Sequence, residues 1–146
     1  METKDRVRES TPDKINRQID QQIEAQVASY SGASKAAIRQ RIDELNGEWD
    51  LERALATTAA SFTISGVLLG TWVDKRWLIL PGVVASFLLQ HSLQGWCPPL
   101  AVFRALKFRN RREIEREKVA LKVLKGDFDA LSSSSSPQEI LPVLQG

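Results

Sequence analysis

His91, Gln94 and Cys97 follow one another at intervals of three. A helix reaching Gln94 would put the imidazole and the amide on one face and bring the thiol to the helix end. Such a cluster could work in three ways. Cys97 could carry a redox or persulfide step, His91 could ligate a haem or metal, or the polar groups could line a path for a small anion. The plainer alternative is that Gln90, His91 and Gln94 hydrogen-bond helix ends and neighbouring hydroxyls while Cys97 packs as a small apolar residue.

Composition narrows these options. The chain has one histidine and one cysteine, which excludes an internal disulfide, a CxxC motif and a multi-histidine metal site. Paired carboxylates, glycine-rich phosphate loops and zinc spacings are absent. No catalytic, cofactor or metal set is assigned, and an enzyme is not expected.

The elements that would hold the cluster follow from how charge is distributed. Residues 1–53 carry nine Lys/Arg against eleven Asp/Glu, residues 104–146 carry nine against six, and residues 54–103 hold only Asp74, Lys75 and Arg76. Two uncharged apolar runs therefore stand side by side, Ala54 to Val73 and Trp77 to Leu93, each long enough to span about 30 Å of hydrocarbon as a helix. The Asp74-Lys75-Arg76 link is so short that the helices must be antiparallel, and Trp72 and Trp77 beside it suit the aromatic belt of a membrane interface. The highly charged N-terminal region does not read as a secretory signal, so the apolar pair itself would direct insertion. A soluble bundle burying the pair is the competing arrangement, because Ser, Thr and Gln dilute both runs.

Small residues mark the first run. Thr57, Ser61 and Ser65 recur every four positions and Gly66 to Gly70 is a GxxxG. Ser61, Ser65, Gly66 and Gly70 could thus form a dimer face or a surface against the second helix. Pro81 falls in the first turn of the second run, where a missing N–H costs little, and Cys97-Pro98-Pro99 is expected to end that helix.

The flanks read as amphipathic helices. Residues 1–10 are expected to be disordered, and Thr11-Pro12 reads as a cap with proline in the first turn. Ile15, Ile19, Ile23, Val27 and Tyr30 form one stripe up to Ser31-Gly32, and after a cap at Ser34, Ile38, Ile42, Leu45 and Trp49 form another. The stripes would pack on each other or on a second copy as a short coiled coil, or lie on the membrane surface. Beyond the apolar runs Arg104, Lys107, Arg109, Arg111 and Arg112 make a cationic collar suited to lipid headgroups. A helix follows with Ile114, Leu121, Leu124 and Phe128 on its apolar face, ending at Gly126. Ser132 to Ser136 is a low-complexity linker. The collar outweighs the two cations of the turn, so both arms are expected in the cytoplasm. Nucleic acid is not an expected partner, since no binding motif surrounds the collar.

Glu52-Arg53 entering the first run, and Gly95-Trp96-Cys97-Pro98 closing the second, with His91 and Gln94 just before it, resemble a bacterial two-helix membrane family, domain of unknown function 2892. The hairpin of that family also anchors inner-membrane rhodaneses. The resemblance extends over roughly Trp49 to Phe128 and implies a bacterial inner-membrane location and a homo-oligomer. The rhodanese nucleophile loop cannot be built from a lone Cys97 followed by two prolines.

The expected protein is therefore all-α, a two-helix transmembrane hairpin flanked by cytoplasmic amphipathic helices. Its segments are 1–10 disordered, 11–50 an N-terminal arm, 51–103 the hairpin, 104–131 a basic C-terminal helix and 132–146 a flexible tail. The expected function is that of a non-enzymatic inner-membrane anchor, assembly or scaffold module, with lipids, further copies of itself and a cytoplasmic protein as partners. The alternatives are a sulfur or redox accessory protein using Cys97 and an oligomeric small-anion channel or transporter.

Overall fold

A computed structural model describes residues 5–129 and Gln138. The tail assigned to 132–146 lies, apart from Gln138, outside the described residues. Among the described residues all regular structure is helical: α1 (Arg6–Glu9), α2 (Asp13–Ser29), α3 (Lys35–Gly47), α4 (Leu51–Trp72), a 3-10 turn (Lys75–Leu78), α5 (Ile79–Gln94), α6 (Pro98–Ala105) and α7 (Arg111–Lys125). Two helices, α4 and the stretch Lys75–Gln94, are long and apolar enough to cross a membrane. At 22 residues, α4 is about 33 Å long at 1.5 Å per residue.

The chain divides into two compact units. One takes the residues up to Ile19 together with Trp49–Arg111, the other Asp20–Glu48 and the residues from Arg112 onward. The division falls inside the segment 11–50 that composition presents as a single arm.

In the first unit α4 starts where Asp50 accepts the Arg53 N–H at 2.7 Å, a side-chain cap for one of the donors a helix start leaves unpaired. The helix ends at Val73, and Asp74 caps the 3-10 turn by accepting the Arg76 N–H at 2.8 Å. Beyond this turn α5 lies along α4. Gly66 faces Leu80 and Pro81, and Gly70 faces Leu78; a methyl on Gly66 would come within 2.5 Å of Pro81 Cδ. The glycines permit this approach because they project nothing into it. Under the helix pair sit Leu51, Leu55, Cys97 and Leu100, with Val7, Phe87, Phe103 and Phe108 packed around them. The Phe103 and Phe108 rings meet edge to face at 5.3 Å.

Three local departures from expectation have physical causes. Of the first ten residues, expected to be disordered, 1–4 lie outside the described residues and the rest contain α1: Asp5 accepts the Arg8 N–H and, from the segment before α7, the Asn110 amide at 2.9 Å. The Thr11 hydroxyl does not cap α2 but donates to the Val7 carbonyl at 2.6 Å, and α2 begins one residue later, with the Pro12 carbonyl accepting from Ile15 and Asn16. Pro98 and Pro99 do not merely stop a helix; they occupy the first turn of α6, where their missing N–H groups cost nothing.

In the second unit Ser34 caps α3 by accepting the Ala37 N–H, and Ile38, Ile42 and Leu45 pack on Ile114 and Leu121 of α7, with Tyr30 and Ala33 at the margin. The α3 stripe therefore finds its partner within the chain. Trp49 departs from that stripe: it is exposed, with the Arg53 guanidinium 4.6 Å from its ring centre. Gly126 ends α7 with a left-handed backbone, φ +83°.

Candidate functional site

The polar cluster read from the sequence is only partly assembled. Gly95 leaves α5 in the left-handed conformation, φ +74°, and a side chain there would run into Arg6. This turn folds the next residues back, so that Cys97 Sγ lies 3.7 Å from His91 Nδ1. Gln94 is exposed on the last turn of α5 and does not join them.

Cys97 is 4% exposed. Burial pushes its thiol above the ordinary range, opposed by a weaker pull from the Leu100 N–H. Little thiolate exists at neutral pH, the reverse of what activates a redox cysteine.

Beside this pair is a pocket of about 130 Å³ between α4, α5 and α6. Phe62, Phe87 and Phe103 contribute one aromatic wall from each helix, and Ala59 leaves space between them. The polar residues at its lining are Thr58, His91 and Cys97. Sequence reading singled out the last two but not Thr58 or the phenylalanines, because the pocket exists only once α6 turns back and no periodicity announces that return.

The cationic collar also resolves residue by residue. Arg104 is 1% exposed and is not a headgroup ligand. Its Nε donates to Thr11 Oγ1 at 3.0 Å, one terminal nitrogen to the Phe108 carbonyl at 3.1 Å and the other to Asn16 Oδ1 at 2.8 Å. The cause is α6: Leu100 and Arg104, four apart, share its buried face. Lys107, Arg111 and Arg112 are exposed, Lys107 with a left-handed backbone of φ +64°, and Arg109 is half-buried with its carbonyl accepting the Leu51 N–H.

The small-residue set divides as well. Gly66 and Gly70 are used against α5 and the turn before it, whereas Ser61 and Ser65 are exposed, with the Ser61 hydroxyl donating to the Thr57 carbonyl at 2.8 Å.

In the second unit α7 buries charge that its sequence presents as a solvated face. Glu113 and Glu117 are fully enclosed and Lys122 nearly so. Arg41 reaches Glu117 Oε1 with two nitrogens at 3.0 and 3.1 Å. Burial, followed by repulsion from Lys118, lowers the Lys122 pKa. Among the described residues no group of three or more His, Cys, Asp or Glu is arranged to hold a metal ion. No protein-family model matches the chain, and no curated protein or solved structure matches it either.

Proposed function

We propose that this protein is a non-enzymatic integral membrane module: α4 and α5 form a transmembrane hairpin, and the flanking amphipathic helices act in the cytoplasm as an assembly or scaffold surface. The observation that carries this reading is the exposure of the two apolar helices. Only 17% of the most apolar stretch within Lys35–Trp72, and 6% of that within Lys75–Gln94, is buried inside the protein. The core helix of a soluble bundle would be mostly covered, and so much apolar surface is stable only against lipid or another protein.

The same reading gives Trp72 and Trp77, both exposed at the turn, to one interface, and Lys107, Arg111 and Arg112 to the headgroups of the other. The charge difference between turn and collar supports a cytoplasmic side for both arms. The likeness of the Gly95-Trp96-Cys97-Pro98 stretch to the two-helix family supports a bacterial inner-membrane setting. Self-association, if it uses α4, is left to its outward serines, since Gly66 is occupied by α5 and Gly70 by the turn before it.

Reporter fusions to the full chain test the topology. Green fluorescent protein at either end is expected to fluoresce, and alkaline phosphatase inserted in the Asp74–Arg76 turn is expected to be active. Phosphatase activity at the ends with none at the turn would overturn the assignment.

A further inference from the structure

We propose that the outward face of α6 is a membrane-contact surface that seats in the headgroup boundary of an anionic bilayer. The observation that carries this is that α6 has its two faces reversed. Ala101, Val102, Ala105 and, at the C-cap, Leu106 share one side of the helix. All four are exposed, Val102 at 60% and Leu106 at 65%. The one charged residue of α6, Arg104, is on the opposite side, enclosed with Leu100. A helix bounded by water keeps its charges outside and its apolar side chains inside. No exposed residue of α6 has a polar side chain, so this face fits an apolar medium. Apolar residues scattered singly over a surface would need no such explanation; a helix face made of them alone does.

Two further observations select a bilayer as that medium. The first is level. Pro99 and Phe103 share one pocket with Leu55 and Phe62 of α4 and with Phe87 and His91 of α5, so α6 lies beside the opening turns of α4 and the closing turns of α5, not beyond them. With those helices read as spans, this is where they leave the hydrocarbon.

The second is charge. From Gly95 to Arg111 the sequence has no Asp or Glu. Trp96 is exposed just before α6, and Lys107 and Arg111 are exposed after it. Tryptophan suits the interfacial zone, and the two cations suit anionic headgroups. A second copy seated on this face by a two-fold contact would bring the same cations toward one another, whereas an anionic bilayer turns that repulsion into attraction. The level of α6 rests on the reading of α4 and α5 as membrane spans; its reversed faces do not.

Single reporter thiols test the contact in the full-length chain carrying Cys97→Ala, which keeps the buried position small and apolar. A fluorophore quenched by bromine is attached at Val102→Cys, at Leu106→Cys one turn on, or at Ile64→Cys midway along α4, and the protein is reconstituted in vesicles of phosphatidylcholine and phosphatidylglycerol. Lipids brominated near the headgroup end of the acyl chain are expected to dim the two α6 labels at least about twofold, as for a helix whose apolar face is sunk into the headgroup boundary. Lipids brominated at the chain terminus are expected to act most on Ile64→Cys.

Quenching at Ile64→Cys without quenching at either α6 label would keep the hairpin and overturn the proposal. No quenching at any of the three would overturn both. Quenching of the α6 labels alone would support α6 on a bilayer that α4 and α5 do not cross. Joining of two Val102→Cys chains by a short thiol cross-linker at low protein-to-lipid ratio would assign the face to a second copy and overturn the proposal.

The same label reads the lipid class. Brominated phosphatidylglycerol is expected to half-quench Val102→Cys at about fivefold lower mole fraction than brominated phosphatidylcholine, the preference that one cation at the surface confers. Lys107→Gln combined with Arg111→Gln is expected to remove that difference and leave quenching at Ile64→Cys in place. Equal potency of the two lipids with both cations present would also overturn the proposal.

Discussion

Arg104 has the largest of the fully enclosed side chains, and it joins α6 to both α2 and the chain that follows through Thr11, Asn16 and the Phe108 carbonyl. Removing a buried charge-assisted donor leaves its acceptors dehydrated and unpaired. Arg104→Met is expected to destabilise the protein by about 3 kcal/mol, read as a lowered Tm in detergent. Lys107→Met, at an exposed position, should change Tm little. Cys97 gives a second prediction at this scale. Since burial raises its thiol pKa above the ordinary 9.0, the fold favours the neutral thiol. That contribution to stability is complete below pH 9.0 and is lost as pH rises through the higher folded value. Its alkylation rate should accordingly be low at neutral pH and reach its half-maximum only above pH 9.0. A half-maximum at or below pH 9.0 would show an ordinary exposed thiol.

Two glycines of α4 face the returning chain with no room for a methyl, Gly66 against α5 and Gly70 against the turn before it, and their surroundings differ. A methyl at Gly66 meets the rigid ring of Pro81, whereas at Gly70 it meets Leu78 Cδ2 at 2.6 Å, the end of a side chain that can rotate away. Gly66→Ala is therefore expected to cost more than Gly70→Ala, within the ~1–3 kcal/mol typical of overpacking. Gly82→Ala, where nothing lies within 4 Å, should be neutral or gain up to ~1 kcal/mol from helix propensity. Thermal unfolding of the three variants in one detergent checks the order.

These elements also show what a sequence can and cannot announce. The extents of α3, α4 and α5, the Asp74 turn and the stop at Gly126 follow from caps, glycines and apolar runs, which act over one or two turns. Helix α6 was masked because its prolines read as a terminator, and Arg104 was then placed in a solvated collar. Thr58 and the three phenylalanines of the pocket looked like ordinary members of apolar helices, because their convergence depends on the reversal at Gly95.

On the scale of the whole molecule, charge is divided between the two units. The first keeps α4 and α5 free of charge between Arg53 and Asp74 and beyond Arg76, and the second encloses carboxylates on α7. There Arg41 supplies two bonds to Glu117, and deleting one partner of an enclosed ion pair costs far more than deleting an exposed one. Arg41→Ala, which strands the enclosed Glu117, is expected to lower stability by about 3 kcal/mol, whereas Lys118→Ala, which releases the exposed Glu115 carboxylate, should cost under ~1 kcal/mol. Chemical denaturation read by circular dichroism separates the two.

The sequence pattern of Glu113 and Glu117 gave no sign of enclosure, since four-residue spacing of acids serves a solvated face equally well. The length and apolar character of α4 and α5, by contrast, were legible from the charge-free runs alone, and their exposure came from the structure. The proposed insertion of these helices into a bilayer is tested most directly by extracting membranes that contain the full chain with alkaline carbonate. The protein should stay with the membrane pellet and leave it only in detergent; release into the carbonate supernatant would contradict the integral membrane assignment.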